Sequence, residues 1–262
     1  MPKTSTDRLI ECQFSNGQHA SVLYATDAMS YSQVLSMLGL HSPTANLVVI
    51  GGASNMSSES LQRLSAVFET VLAPLVQELG ITVLDGGTDA GVIQMMGQAR
   101  GIVDGTFNLL GVAPQSKVKL PQEITRESER RKDLEPHHTS FCLIPGEHWG
   151  SESPWLAQLA TTLAGSSPSV TLMINGGKVA LADLQANLAT GRPAIVLAGS
   201  GRMADAIVTA IHNSTSADPV IASIISQYYP HKLSVFDLSS PLANLAKRLR
   251  QILSPNGQRT SA

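Results

Sequence analysis

The chain has 262 residues, with 18 Lys and Arg against 20 Asp and Glu, so its formal net charge is −2. A chain of this size fits one large domain, and its near-neutral charge disfavours a protein that grips nucleic acid by its phosphates. No run of about 18 apolar residues could cross a bilayer, and the polar residues 1–8 precede no apolar signal core. Because Cys12 and Cys142 also lack metal-ligand spacing, we expect a cytoplasmic protein with no membrane partner.

The first 45 residues are predicted to form a hairpin and helix extension. Residues 8–14 and 20–24 flank Asn16-Gly17, a pair typical of a short β-hairpin, and residues 30–38 have helical spacing.

Residues 46–214 form the predicted core, in which short apolar runs alternate with amphipathic stretches. The runs predict strands at residues 47–50, 81–84, 109–112, 140–144, 170–174 and 194–198. The amphipathic stretches predict helices at residues 57–79, 91–99, 154–163, 180–188 and 203–211. Apolar strands separated by helices are typical of a parallel sheet covered on both faces. The sequence therefore predicts an α/β fold with a doubly wound, mostly parallel sheet.

The rest of the chain is predicted to lie around this core. Residues 114–139 are polar and charged, and we interpret them as a surface excursion that is either a lid or a solvated loop without a role. Residues 215–253 are predicted to extend the same domain with a strand at 233–236 and a surface helix at 241–253. Residues 254–262 have the composition of a frayed tail.

Glycines follow four of the predicted core strands, at Gly51-Gly52, Gly86-Gly87, Gly176-Gly177 and Gly199-Ser200-Gly201. In an open parallel sheet these turns share the carboxyl edge, where ligands bind. Glycine lets backbone N–H groups approach an anion, and the helix that follows offers its positive N-terminal end. A single glycine pair fits an ordinary tight turn equally well, but four of them predict a site for a phosphate-bearing ligand.

Polar side chains beside these turns could complete the site. Ser54 and Asn55 can donate to phosphate or ribose, or can cap their own loop. Thr88 can bind phosphate or cap a helix. Arg202 can pair with a phosphate through two hydrogen bonds, or with Asp205 on the same helix turn.

A second group of side chains follows the strand at 140–144. Glu147 could accept from ribose hydroxyls, and Trp149 could stack on a purine or, with Trp155, pack a surface helix onto the sheet. The predicted ligand-binding residues are Gly51, Gly52, Ser54, Asn55, Gly86, Gly87, Thr88, Gly91, Gly146, Glu147, Gly176, Gly177, Gly199, Ser200, Gly201 and Arg202.

Motifs for other chemistries are missing from the sequence. His137, His138 and His148 lie near Glu147 but show no His-Glu-x-x-His order, so no metal site is predicted. No Lys-Ser/Thr pair follows the glycines of residues 86–91, and no Gly-x-Gly-x-x-Gly follows the first core strand, which disfavours an ATPase or a nicotinamide dehydrogenase. No Gly-x-Ser-x-Gly elbow follows a strand. The sequence therefore predicts neither a cofactor nor a catalytic residue.

Five segments then occur in a characteristic order, at residues 47–52, 84–93, 134–141, 175–177 and 197–205. Together they resemble the SLOG superfamily, the Rossmann-like SMF/DprA–LOG group. The likeness is greatest to its branch in the cytoplasmic N-terminal region of TRPM-type channels and in stand-alone prokaryotic relatives. It covers residues 46–211, and Gly-Ser-Gly-Arg-x-Ala-Asp at 199–205 is its most distinctive part. The resemblance implies a signalling sensor that binds a nucleotide-derived ligand such as ADP-ribose, cyclic ADP-ribose or a related NAD metabolite.

The sequence departs from the hydrolases of this superfamily. Lonely-guy phosphoribohydrolases use Pro-Gly-Gly-x-Gly-Thr-x-x-Glu, which neither residues 85–89 nor 145–147 reproduce. The first hypothesis is therefore binding without turnover. The second is a phosphoribohydrolase or nucleotide-sugar hydrolase with Glu147 or Asp89 as acid/base and Arg202 holding phosphate. The net charge disfavours a DNA-binding member, and a homo-oligomer stays open.

Overall fold

A computed structural model describes residues 9–123, 131–213 and 218–254. The polar residues 1–8, the middle of the charged excursion and the tail from residue 255 lie outside this described part.

The strands of the described residues are β1 Leu9–Gln13, β2 His19–Tyr24, β3 Asn46–Gly51, β4 Thr82–Asp85, β5 Leu109–Pro114, β6 Val118–Lys119, β7 Lys132–Asp133, β8 Ser140–Ile144, β9 Ser169–Ile174, β10 Ala194–Ala198 and β11 Leu233–Asp237. The helices are α1 Tyr31–Met37, α2 Ser58–Val67, α3 Ala73–Leu79, α4 Gly91–Ile102, α5 Ser153–Ala164, α6 Lys178–Ala189, α7 Arg202–Asn213, α8 Pro219–Tyr228 and α9 Leu242–Leu253.

The main sheet has nine strands in the described residues, in the order β1-β2-β8-β5-β4-β3-β9-β10-β11. Only the hairpin pair β1–β2 is antiparallel, and every other pair is parallel. One face of the sheet packs against α1, α5, α6, α7 and α8, and the other packs against α2, α3, α4 and α9. The predicted doubly wound α/β fold is thus confirmed.

The two flanks of the core belong to this sheet. Strand β2 of the predicted hairpin pairs with β8, and β11 pairs with β10 at the opposite edge. Helix α8 was not predicted. In the charged excursion, β6 and β7 form a small parallel pair of their own.

The predicted helix over residues 57–79 is interrupted. A π-helical turn at Phe68–Leu72 separates α2 from α3. Pro74 lies in the first turn of α3 and has no N–H to donate, so a regular α-helix cannot continue through it, and the wider turn lies just before it. Gly80 ends α3 in a left-handed conformation, as its position in the sequence predicts.

The chain order of the strands reverses next to β3. From β3 the chain runs outward through β4, β5 and β8, and it then returns to place β9 on the other side of β3. The carboxyl ends of β3 and β9 therefore flank a topological switch point, where the crevice of an open α/β sheet lies.

Candidate functional site

A cavity of about 450 Å³ lies at this switch point. Its walls come from the turns after β3, β4 and β9, the first residue of α7, and side chains of α4, α5 and α6. The lining residues are Val49, Ile50, Gly51, Gly52, Ser54, Gly86, Thr88, Ile93, Lys132, Trp149, Glu152, Leu156, Gly176, Gly177, Val179, Ala180, Asp183 and Arg202. Turns that lie far apart in sequence therefore border one space.

The structure separates the predicted ligand-binding residues into two groups. Those that line the cavity are Gly51, Gly52, Ser54, Gly86, Thr88, Gly176, Gly177 and Arg202. Those that do not line it are Asn55, Gly87, Gly91, Gly146, Glu147, Gly199, Ser200 and Gly201. The first group marks the edge expected to contact a ligand, and several of the second hold that edge in place.

Asn175 joins three of the turns. It is fully buried at the end of β9 and has a φ of 52°, in the left-handed region. Its Nδ2 donates to the backbone oxygens of Ser54 at 3.1 Å and Ser200 at 2.7 Å, and its Oδ1 accepts from Gly176 N–H at 2.7 Å. The Ser200 hydroxyl in turn accepts from Asn175 N–H at 2.8 Å. The hydroxyl of Ser200 is thus committed to shaping the turns.

Arg202 opens α7 with a φ of 48°, a conformation rare for a side chain of this size. Asp205, the alternative partner considered for it, instead accepts from Gly199 N–H at 2.7 Å and Gly201 N–H at 3.1 Å. Within the described part of the chain, no carboxylate forms an ion pair with Arg202. Its guanidinium lies over Gly177, where an added Cβ would be 3.0 Å from Nη2. An exposed cation therefore borders the cavity.

The N-terminus of α6 faces the same space. Gly177 is its N-cap residue and supplies no side-chain cap, so the first N–H groups of a 12-residue helix are free to meet a ligand. Gly176, Gly177, Val179 and Ala180 all line the cavity. A helix N-terminus beside an arginine favours an anion, phosphate above all.

Two further residues reach the cavity from outside the sheet. Lys132 in β7 brings a second cation from the charged excursion, so part of that excursion borders the cavity. Trp149 is 40% exposed and lines the cavity, whereas Trp155 packs edge-on against Tyr31 with ring centroids 5.3 Å apart. Of the two tryptophans, Trp149 is the one positioned for stacking on a ligand.

Two buried carboxyl groups line the cavity, Glu152 and Asp183. Asp183 accepts from the Ser153 hydroxyl at 2.6 Å, and Glu152 accepts from Gly150 N–H at 2.7 Å. Burial raises the pKa of Asp183 to about 7, and the Glu152 carboxylate adds to that shift. Burial also raises the pKa of Glu152.

Glu147 and Asp89, the acids considered from the sequence, are both exposed, and neither lines the cavity. One sequence signal could have found Asp183. It follows Gly177 by six residues, which is the spacing between the second glycine and the glutamate of Pro-Gly-Gly-x-Gly-Thr-x-x-Glu in the hydrolases. Glu152 had no comparable signal beyond its place before the Ser153-Pro154 helix start.

A buried ionic network supports the turn after β4. His138 Nε2 lies 2.9 Å from Asp85 Oδ1, and its Nδ1 lies 2.8 Å from Glu135 Oε2. The two carboxylates outweigh burial and raise the pKa of His138 to about 9, so the ring is an imidazolium at neutral pH. Asp85 also accepts from Gly87 N–H at 2.8 Å, and Glu135 N–H donates to the Gly87 carbonyl at 3.0 Å.

This network accounts for two of the histidines considered for a metal site. Like His138, His137 bonds to Glu135, with Nδ1 2.7 Å from Oε1. Over residues 9–123, 131–213 and 218–254, no three His, Cys, Asp or Glu residues come together as metal ligands.

The adjacent glycines Gly51 and Gly52 allow a matched test of how closely the backbones of β3 and β9 approach each other. At Gly51 the φ is 133° and an added Cβ would lie 1.8 Å from the backbone oxygen of Ile174, whereas at Gly52 the nearest atom would be 3.9 Å away. We expect Gly51→Ala to lower the free energy of unfolding by about 3 kcal/mol or more, because β3 and β9 must separate. Gly52→Ala is expected to change it by less than about 1 kcal/mol. Urea unfolding of both variants measures this, and equal losses would contradict the close approach of the two strands.

The fold and the cavity define a Rossmann-like α/β protein with an open crevice at the carboxyl edge of its sheet. The sequence matches the family described as SLOG in TRPM, prokaryote, over residues 44–246, and the chain belongs to that family.

The chain is also similar to two curated relatives and, in its fold, to a solved structure. The chain is 24% identical over 255 residues to transient receptor potential cation channel subfamily M member 2 of Rattus norvegicus and to the same channel of Mus musculus. The alignments cover 84% of this chain but only 16% of either channel. The X-ray structure of TM1055, a structural genomics target, superimposes with a TM-score of 0.51 and 18% identity, covering 79% of this chain and 99% of that one. This last likeness concerns the fold. None of the helices in the described residues combines the length and apolar character needed to cross a membrane.

Proposed function

We propose that the protein binds a nucleotide-derived ligand of the ADP-ribose, cyclic ADP-ribose or NAD-metabolite class in this cavity, without turning it over. The observation that carries the proposal is the convergence of glycine turns on one cavity that also holds Arg202 and the free N-terminus of α6. Membership of the SLOG family supports a nucleotide-related small molecule. A sensing role in the cytoplasm is part of this proposal.

The chemistry of the walls suggests how such a ligand would lie. Its diphosphate would accept hydrogen bonds from the backbone N–H groups of Gly177 and the first turn of α6 and from Arg202. Lys132 would add a second positive charge. The adenine ring would stack on Trp149.

Calorimetric titration with ADP-ribose, cyclic ADP-ribose, NAD and AMP tests the proposal. We expect a binding heat, and a rise in Tm, with at least one of them. A protein that shows neither with all four would overturn the proposal.

Arg202→Ala should weaken binding of the ligand so identified by about 10- to 100-fold, because a charge-assisted hydrogen bond to phosphate contributes about 1.5–3 kcal/mol. Lys247→Ala is the matched control, since Lys247 is an exposed cation on α9 and does not line the cavity. Calorimetry of both variants gives the comparison. Equal affinity of the Arg202 variant and the wild type would place the phosphate elsewhere.

The second candidate is a hydrolase of the phosphoribohydrolase type. The observation that favours it is the pair of buried carboxyls, since a carboxyl whose pKa is raised toward 7 suits general acid/base work. Incubation with nucleoside monophosphates and NAD, followed by chromatography, separates the candidates. Sustained product release that is lost in Asp183→Asn would favour the enzyme, and unchanged ligand would favour the sensor.

A further inference from the structure

The cavity has walls of opposite chemical character. The cations Arg202 and Lys132 and the N-terminus of α6 suit an anion, whereas Glu152 and Asp183 present carboxyl oxygens. Asp183 lies six residues beyond Gly177 along α6, which places it about 9 Å further along the helix axis. The two kinds of wall are therefore separate regions of one cavity.

We propose that Glu152 and Asp183 form an acidic subsite that accepts hydrogen bonds from the hydroxyl-bearing end of a phosphate-bearing ligand and selects for that end. The inference rests on the proposed function and specifies the class of ligand: an anionic group at the α6 N-terminus, joined to a neutral group rich in O–H donors such as a ribose. A ligand with phosphate alone would leave the acidic subsite unused.

The carboxyl oxygens of Glu152 and Asp183 can accept further hydrogen bonds. The side chains are 5% and 8% exposed. Asp183 accepts from the Ser153 hydroxyl, and Glu152 accepts from backbone N–H groups of Gly150 and of Glu152 itself. A carboxylate offers about four acceptor positions, so a ligand hydroxyl finds free lone pairs on both. A buried carboxyl with free lone pairs is costly to the folded protein and gains from a ligand donor.

Charged side chains from several elements lie in or near the part of the cavity that contains Asp183. Helix α5 contributes Glu152, α7 contributes Arg202, β7 contributes Lys132, and α6 itself begins with Lys178. The strands packed against α6, which are β3, β9 and β10, contain no ionisable side chain.

Arg192, in the loop after α6, donates to Asn187, Ser169, Thr161 and the Ala157 carbonyl, so within the described residues its hydrogen bonds go to groups other than the two carboxyls.

The experiment measures the affinity of the full chain for ADP-ribose and for inorganic pyrophosphate by calorimetry, in wild type, Asp183→Asn and Glu152→Gln. Both variants keep the size of the side chain. We expect each to weaken ADP-ribose binding at pH 7 by about tenfold or more while pyrophosphate affinity stays within about threefold.

Ser153→Ala is the matched control, because it removes the hydrogen bond between α5 and α6 but leaves both carboxyls in place. It should keep the ADP-ribose affinity of the wild type. If Ser153→Ala loses as much ADP-ribose affinity as Asp183→Asn, the carboxyl groups act only through the contact between α5 and α6, and the inference is overturned.

Folding is checked separately by Tm at pH 4 and pH 8. Because folding raises the pKa of Asp183 from 3.8 to about 7, this residue does not lower the free energy of unfolding below pH 3.8 and lowers it progressively as the pH rises to 7. Asp183→Asn should therefore raise Tm at pH 8 more than at pH 4. Unchanged ADP-ribose affinity in both carboxyl variants would overturn the inference alone. A wild-type protein that binds none of the nucleotides would overturn the proposed function, and this inference with it.

Discussion

Replacement of Asn175 by alanine is expected to destabilise the protein by about 3–5 kcal/mol and to abolish ligand binding. The amide group bonds to backbone groups of Ser54, Ser200 and Gly176. Each buried group left unpaired costs about 1–3 kcal/mol. Alanine also tolerates the left-handed backbone of this position less well than asparagine, which adds about 1 kcal/mol.

Asn175→Gly separates the two causes, because glycine accepts the φ of 52° without strain but lacks the amide. We expect the glycine variant to recover about 1 kcal/mol of stability relative to alanine and to remain unable to bind ADP-ribose. Urea unfolding and calorimetry measure the two effects. A glycine variant with wild-type affinity would show that the turns keep their arrangement without the side chain.

Replacement of His138 by glutamine is expected to cost about 3–5 kcal/mol of stability at neutral pH, because it leaves the buried Asp85 and Glu135 carboxylates without their cation. The matched control is His137→Gln. The His137 ring that bonds to Glu135 is partly exposed, and the His137 backbone N–H keeps its bond to Glu135 in the variant, so we expect a change below about 1 kcal/mol.

The same ring makes the stability of the wild type depend on pH. The native pKa of His138, about 9, lies above its ordinary 6.5, so folding holds the proton more tightly than the unfolded chain does. Its stabilisation is complete below pH 6.5 and is lost as the pH rises through 9, a change of about 3 kcal/mol. Unfolding free energies of wild type and His138→Gln across this range provide the test. Parallel curves for the two proteins would mean that the ring is not charged in the native state.

The network of His138, Asp85 and Glu135 supports the turn after β4 and also connects two walls of the cavity. The network holds Gly87 against Glu135, and Thr88 pairs with Leu134, two residues beyond Lys132. We therefore expect His138→Gln to weaken ligand binding as well, although His138 does not itself line the cavity.

The sequence alone determined the fold and the general location of the cavity. A continuous apolar run such as residues 194–198 predicts a strand that is buried on both faces of the sheet. Such a run can be recognised from neighbouring residues alone. Glycines after parallel strands must meet at one edge, because right-handed crossovers bring the strands they connect to the sheet in the same direction. For this reason the sequence predicts that Gly51, Gly86 and Gly176 lie together, and all three line the cavity.

Tertiary structure alone decided which side chains face the cavity and how they ionise. Asp183 and Glu152 lie 31 positions apart, and their raised pKa values come from burial between α5 and α6, which no local pattern reports. Lys132 borders the cavity in a segment that contacts the turn after β4, where Thr88 pairs with Leu134 and Asp89 N–H donates to the Asp133 carbonyl. Strand periodicity is a property of neighbouring residues, whereas desolvation and charge pairing depend on contacts that only the folded chain creates.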